Sequence, residues 1–398
     1  MPYRVLESSV VRGLASASIV LLSLAVAGCG GGESAPPTEP ASSTSVGAPD
    51  SESTASTASA PAQRLGAATE LAETWLSPLD EADNVDSVAF WAGELAAGDD
   101  ALWVLATAKE SHRLLVYDAR SGEVVRSAGR EGEGLGSFRR PNGIVVTGDL
   151  VWVAERDNRR VQVLRLPGLE PLGEVGADHL ERPYGLTVLD GPEPDSYRLY
   201  VTDNYEGPND EPPPDAALDE RVKQFRVTVR ETAVEAEHVR SFGAVEGPGR
   251  LQVVESIFAD ATSGRLLIAE EQTGAWSAKV YDLSGGFTGT LVGLGDFGDE
   301  AEGIALYPCG DEGYWILTDQ RKERTVFHVY ERRSLARVGA FSGAVTANTD
   351  GVVVTPRPFG GFPEGAFFAV HDDQGVSAFD WRAIRGALAL DTCVDLGS

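Results

Sequence analysis

Carboxylates recur along this chain at the ends of apolar runs, a placement that can build a site for a hard cation. The runs at 152–155, 200–203, 267–271, 316–319 and 368–372 end in Glu155, Asp203, Glu270 with Glu271, Asp319 and Asp372. Ahead of each stands a second signature, a polar residue followed by Gly or Ser and then an apolar stretch. These are Asn142-Gly143, Tyr184-Gly185, Glu255-Ser256, Glu302-Gly303 and Asp350-Gly351. An antiparallel meander goes out and comes back, so the start of its first strand and the end of its second lie on the same side of the sheet. Both sets of acids are therefore expected on one face. Carboxylates crowded there raise one another's proton affinity unless a cation intervenes, and oxygen-only ligands suit calcium above all. His112, His179, His238, His328 and His371 are scattered without zinc-ligand spacing. No Gly-x-Ser-x-Gly elbow or Cys–His pairing offers a side-chain nucleophile. Strand-end acids also hydrogen-bond neighbouring backbone, so Glu155, Asp203 and Asp319 are read first as structural.

The elements that must position these acids repeat. With a sixth segment at 86–122, the units recur at about 40 to 60 residues, the period of propeller blades. Each reads as apolar strand, turn, apolar strand ending in an acid or Lys, polar loop, then a third strand such as 114–117, 161–164, 279–282 or 327–330. Helical periodicity is confined to 382–390. Short regular strands with Gly-rich turns favour a closed all-β architecture, because closure removes sheet edges. The expectation is a six-bladed β-propeller over 66–396, with 69–79 supplying the outermost strand of the last blade. The insertion 206–220, with Pro212, Pro213 and Pro214, is expected to be a loop.

At 398 residues with 42% hydrophobic content, the chain can bury a large core. Its formal net charge of −28 argues against nucleic acid or anionic lipid as a direct partner. That charge fits cation binding and a solubilising acidic surface equally well. Residues 1–28 have the form of a lipoprotein signal peptide: Arg4 and Arg12 precede the apolar stretch 14–27, and Val26, Ala27 and Gly28 lead into Cys29, the lipid acceptor. Residues 29–65 are rich in Ser, Thr, Ala, Pro and Gly and are expected to be a disordered linker. The expected location is the bacterial cell envelope, outer membrane or periplasmic side, with membrane contact through the lipid on Cys29 only and the protein a monomer. Cys309 and Cys393 either form one disulfide or remain two unpaired buried thiols.

Two resemblances follow from particular residues. The second blade, with Phe138, Pro141, Asn142, Gly143 and Ile144 and then Asn158, Arg159, Val161, Gln162 and Val163, is similar to an NHL-type propeller repeat. Its Gly132, Gly134 and Gly136 form a turn rather than a phosphate cradle, since no Lys-Ser or Lys-Thr follows. The segments 255–271, 300–307, 314–320, 329–332, 349–351 and 379–384 resemble, in order and spacing, the β-propeller phytases, a resemblance that runs from about 86 to 392 and is dense after 251. That resemblance implies six blades and calcium ions in a mouth that hold the phosphates of phytate or another inositol phosphate while a water attacks phosphorus. It assigns Glu255, Glu271, Glu300, Glu302, Gln320, Asp350 and Asp372 as ligands of metal and water. Tyr184, Arg159 and Lys109 become the residues that meet calcium or substrate, with Glu302 and Glu271 central to catalysis. An aspartate of the family falls at Ser87, with Asp86 beside it, and the family's paired lysines appear as Lys109 followed by Glu110. The competing reading is a non-catalytic NHL-like propeller that binds a ligand or protein partner.

Overall fold

Second strands of this chain are apolar on both faces, and the structure shows why: each is covered on both sides by neighbouring sheets. In Leu150–Glu155, for example, every residue is buried. The computed structural model describes residues 67–396, apart from 96, 97, 208 and 210. The expected signal peptide, Cys29 and linker lie outside the described residues.

Six antiparallel sheets form the blades of a β-propeller. Blade 1 comprises Val85–Glu94, Asp100–Ala108, Arg113–Asp118 and Val124–Ala128, and blade 2 comprises Pro141–Thr147, Leu150–Glu155, Arg160–Arg165 and Glu170–Val175. Blade 3 follows with Pro183–Asp190, Ser196–Asp203, Val222–Val229 and Val234–Phe242, and blade 4 with Ile257–Asp260, Arg265–Glu270, Ser277–Asp282 and Phe287–Val292. Blade 5 has Glu300–Cys309, Glu312–Gln320, Val326–Glu331 and Arg337–Gly343. Blade 6 has Val352–Thr355, Ala366–His371 and Gly375–Asp380.

The core is divided into six clusters, one in each wedge between successive blades. The wedge between blades 6 and 1 holds Val85, Val104 and Tyr117 against Phe368 and Val376, so the ring is closed by packing. Closure is also stitched by the first described strands. Trp75–Leu76 pairs with Gly375–Asp380 as the outermost strand of blade 6, as the sequence suggests. Thr69–Leu71 adds a fifth, parallel strand to blade 5, which the sequence reading does not anticipate. Between them Glu73 accepts the backbone N–H groups of Val345 and Thr346 at 3.0 and 2.9 Å, and the Trp75 indole donates to the Ala119 carbonyl at 3.1 Å. One short segment thus ties blades 5, 6 and 1, shielding edges that would otherwise be exposed.

A helix runs Trp381–Leu388 after blade 6, capped by the Asp380 side chain and ended by Ala389 in the left-handed region. It therefore starts and stops slightly before the span suggested by periodicity. Trp381 stacks on Tyr307 with ring centroids 3.9 Å apart, and Cys309 and Cys393 are joined in a disulfide, Cα to Cα 5.1 Å. Within the insertion, Asp215–Glu220 forms a 3-10 helix. No helix among the described residues is long and apolar enough to cross a membrane.

Candidate metal centre

Every inner strand reaches the mouth through the polar–Gly/Ser–apolar signature, and in four of the six blades that signature is a β-bulge. Register slips between Val85 and Val88, Pro141 and Ile144, Pro183 and Leu186, and Ala301 and Ile304. A bulge leaves residues unpaired and re-aims their side chains. The residues so freed are Asp86, Asn142, Tyr184 and Glu302, and Glu255 and Asp350 stand at the matching places just ahead of their strands. The small residue that follows is required by the tightness of the ring. A Cβ at Gly185 would lie 2.1 Å from the Glu255 carbonyl oxygen, and one at Gly303 would lie 2.5 Å from that of Asp350. Asp86, Tyr184, Glu255, Glu302 and Asp350 together line a small cavity at the mouth.

The strand-end acids behave differently from their neighbours one residue on. Glu155 accepts from Arg160 Nε at 2.7 Å, from Gln162 Nε2 at 2.8 Å and from the Arg139 backbone at 3.1 Å. Asp203 takes the N–H groups of Glu181 and Arg182, and Glu270 those of Gln252 and Val253 plus Lys279 Nζ at 2.6 Å. Asp319 takes Gly298 and Asp299, with Arg321 and His328 beside it. Each acid fastens the loop entering its blade, so these four are structural. The next residue along supplies the mouth in blades 1, 2, 4 and 5, as Lys109, Arg156, Glu271 and Gln320.

Three carboxylates meet without forming an ion pair among the described residues. Glu255, Glu271 and Glu302 each offer an oxygen, all within 4.8 Å of one another, and Glu271 Oε1 is buried with no hydrogen-bond partner among the described residues. Burial, with Asp86 nearby, pushes the Glu255 carboxyl up to about 8. Burial and then the Glu255 charge raise both Glu271 and Glu302 well above the usual carboxylate range. Asp350 is also raised, by burial first and by Asp86, against the lowering effect of Lys109. Such a group fits a divalent cation with oxygen ligands: it supplies negative charge, an orphaned acceptor and converging oxygens.

The remaining expected residues fall into three groups. Lys109 lies in the mouth, 2.7 Å from Asp86 and 3.6 Å from Asp350, and although burial would lower its proton affinity, those two acids raise it. Gln320 donates to Asp350 Oδ1, and Tyr184 hydrogen-bonds Glu255. Glu300 stays at the exposed rim, acting on the trio through its charge. Two of the expected residues stand apart from the cluster. Arg159 is an exposed turn residue at φ 55°, and Arg156 instead reaches Tyr184. Asp372 is exposed and accepts from Gln374 at 3.0 Å, whereas its neighbour Asp373 turns to Asp350. Both shifts arise in tight loops after the second strand, where left-handed residues change the facing from one position to the next. Asp86 was recognisable, since Asp86-Ser87-Val88 has the form of the other five signatures.

The fold and the mouth define a class: a six-bladed β-propeller with an acidic, bulge-built centre and an NHL-type repeat in its second blade. The NHL repeat family matches residues 138–164, the span from Phe138 through the third strand of blade 2. Similar solved structures include Kuenenia stuttgartiensis hydrazine synthase, at 12% identity and TM-score 0.47, covering 80% of this chain and 83% of that one. A chain of a nidogen/laminin complex is similar at 11% identity and TM-score 0.47, covering 69% and 88%. The Dos1 propeller is similar at 9% identity and TM-score 0.39, covering 77% and 72%. No curated protein matches the chain.

Proposed function

We propose that this chain is a calcium-dependent phosphomonoesterase of the phytase kind, acting on phytate or a related inositol phosphate. The observation that carries the reading is the trio Glu255, Glu271 and Glu302, converging within 4.8 Å with Glu271 Oε1 left without a hydrogen-bond partner among the described residues. These three residues would hold the cation, with Asp350 and Gln320 beside them. Bound calcium would neutralise the carboxylates, accept phosphate oxygens and acidify a water. Donors stand beside the trio: Tyr184, which hydrogen-bonds Glu255 and Arg156, and Lys109. Cationic and hydroxyl donors there would orient a phosphate against the acidic half. The cation would supply the positive charge that draws an anionic ester into a mouth lined by carboxyl groups, so turnover would depend on calcium. The same proposal sets the propeller on the cell envelope, tethered through Cys29.

A second reading rests on Lys109. Its ammonium is engaged by Asp86 and Asp350, which leaves it less free to meet a substrate phosphate and favours a propeller that binds cation and ligand without turnover. The deciding experiment incubates the purified protein with phytate, with calcium and with a chelator, and follows phosphate release. Calcium-dependent release that disappears in Glu302→Gln supports the esterase. A calcium-induced rise in melting temperature without release selects the binding reading. Absence of both effects overturns the metal site itself.

A further inference from the structure

Exposed aliphatic side chains are not spread evenly over this molecule. Among the described residues the exposed large hydrophobics number nine. Five of them, Leu79 at 44%, Leu135 at 49%, Val245 at 39%, Leu294 at 60% and Val345 at 52% exposure, have one address in common. Each lies in a loop leading from the outer strand of one blade to the inner strand of the next. Inner strands begin at the mouth, so these loops belong to the mouth face. Five of the six inter-blade loops therefore carry an exposed aliphatic residue on the side that also presents the carboxylates. The sixth, between blades 2 and 3, carries His179 instead. Loop tips are ordinarily polar, and repeated placement of apolar side chains around one face marks a contact surface.

Charge decides what such a surface takes. Exposed acids flank three of the five aliphatics: Asp80 and Glu81 follow Leu79, Glu133 precedes Leu135 and Glu246 follows Val245. The chain as a whole carries −28. An anionic leaflet is repelled by this face, and so is a second copy presenting the same face. The chain's own first 66 residues, with three arginines against five acids, lack the complementary charge. We propose that the mouth face docks a protein partner whose contact surface combines basic and aliphatic side chains. A partner seated on these loops lies over the carboxylate mouth and restricts access to it.

The test uses an amphipathic Lys/Leu helical peptide and a Lys/Ser peptide of equal charge, with binding to the full chain followed by fluorescence anisotropy. The comparison protein replaces Leu79, Leu135, Val245, Leu294 and Val345 by Ser, positions exposed enough to leave the wedges packed. The expected result is that the Lys/Leu peptide binds the variant at least about tenfold more weakly than the parent, while the Lys/Ser peptide does not distinguish them. A photo-crosslinker at position 135 or 294 is expected to capture the Lys/Leu peptide, and one at 124, an exposed valine away from the mouth, is not. Equal binding of the Lys/Leu peptide to both proteins overturns the proposal, as does capture at 124 alone. Self-association of the parent that disappears in the variant overturns it in favour of a second copy. Sedimentation with phosphatidylcholine/phosphatidylglycerol vesicles that depends on the five residues overturns it in favour of lipid.

Discussion

Lys109 Nζ stands 2.7 Å from an Asp86 carboxylate oxygen, and both residues are buried. With Asp350 at 3.6 Å, the lysine neutralises one side of the mouth and leaves Glu255, Glu271 and Glu302 to any cation that enters. Lys109→Met removes that internal charge and strands two buried acids. Breaking a buried pair on one side costs about 3–5 kcal/mol, so the calcium-free variant is expected to unfold at distinctly lower urea. Calcium is expected to recover more stability in the variant than in the parent. Urea titrations with and without calcium read both effects.

The raised carboxyls have a consequence for pH. Glu255 sits at about 8 in the folded protein against an ordinary 4.5, and Glu271 and Glu302 are raised as well. Between those values the folded state holds more protons than the unfolded state, so stability falls as pH rises through the window. The slope is about 1.36 kcal/mol per pH unit for each extra proton held. Unfolding titrations of calcium-free protein from pH 5 to pH 8 are expected to show this decline. Saturating calcium is expected to flatten it, because the cation replaces the protons. A stability that rises with pH over the same interval is incompatible with the mouth described.

Glu271→Gln separates repulsion from ligation. Its proton affinity is raised by burial and by Glu255 and Glu302, so a neutral amide removes the cost of ionising a buried carboxyl beside two others. The variant is expected to be more stable than the parent without calcium, and to lose the calcium-induced rise in melting temperature. Calcium affinity is expected to drop by about 10- to 100-fold or more. Differential scanning calorimetry on both proteins, with and without calcium, gives the two signs in one experiment. Loss of stability in both conditions would mark Glu271 as structural.

Much of this architecture is legible in the sequence because bulges leave a trace. Tyr184-Gly185 and Glu302-Gly303 announce both the mouth-facing residue and the close approach of the next blade, and the strand-end acids announce the loop they fasten. What sequence spacing does not resolve is facing within a tight turn. Arg156 and Arg159 are three residues apart in one loop, with Arg159 left-handed and exposed while Arg156 reaches Tyr184. The exchange of Asp372 for Asp373 has the same origin. The fifth strand on blade 5 was hidden for another reason: Thr69–Leu71 is a three-residue segment, too short for a period, and it is fixed by pairing with a distant partner.

Gly185 links ring geometry to the metal trio, and Gly185→Ala tests that link. An added Cβ would approach the Glu255 carbonyl oxygen to 2.1 Å, well inside contact distance, and the obstructing atom is backbone that cannot rotate away. The blade boundary must open, which costs about 1–3 kcal/mol and displaces Glu255 from Glu271 and Glu302. Gly134→Ala is the control, because a Cβ there meets nothing within 4 Å. Gly185→Ala is expected to lower the unfolding midpoint and weaken calcium binding together, with Gly134→Ala unchanged in both. A variant that is destabilised yet binds calcium normally would show that the trio does not depend on the contact between blades 3 and 4.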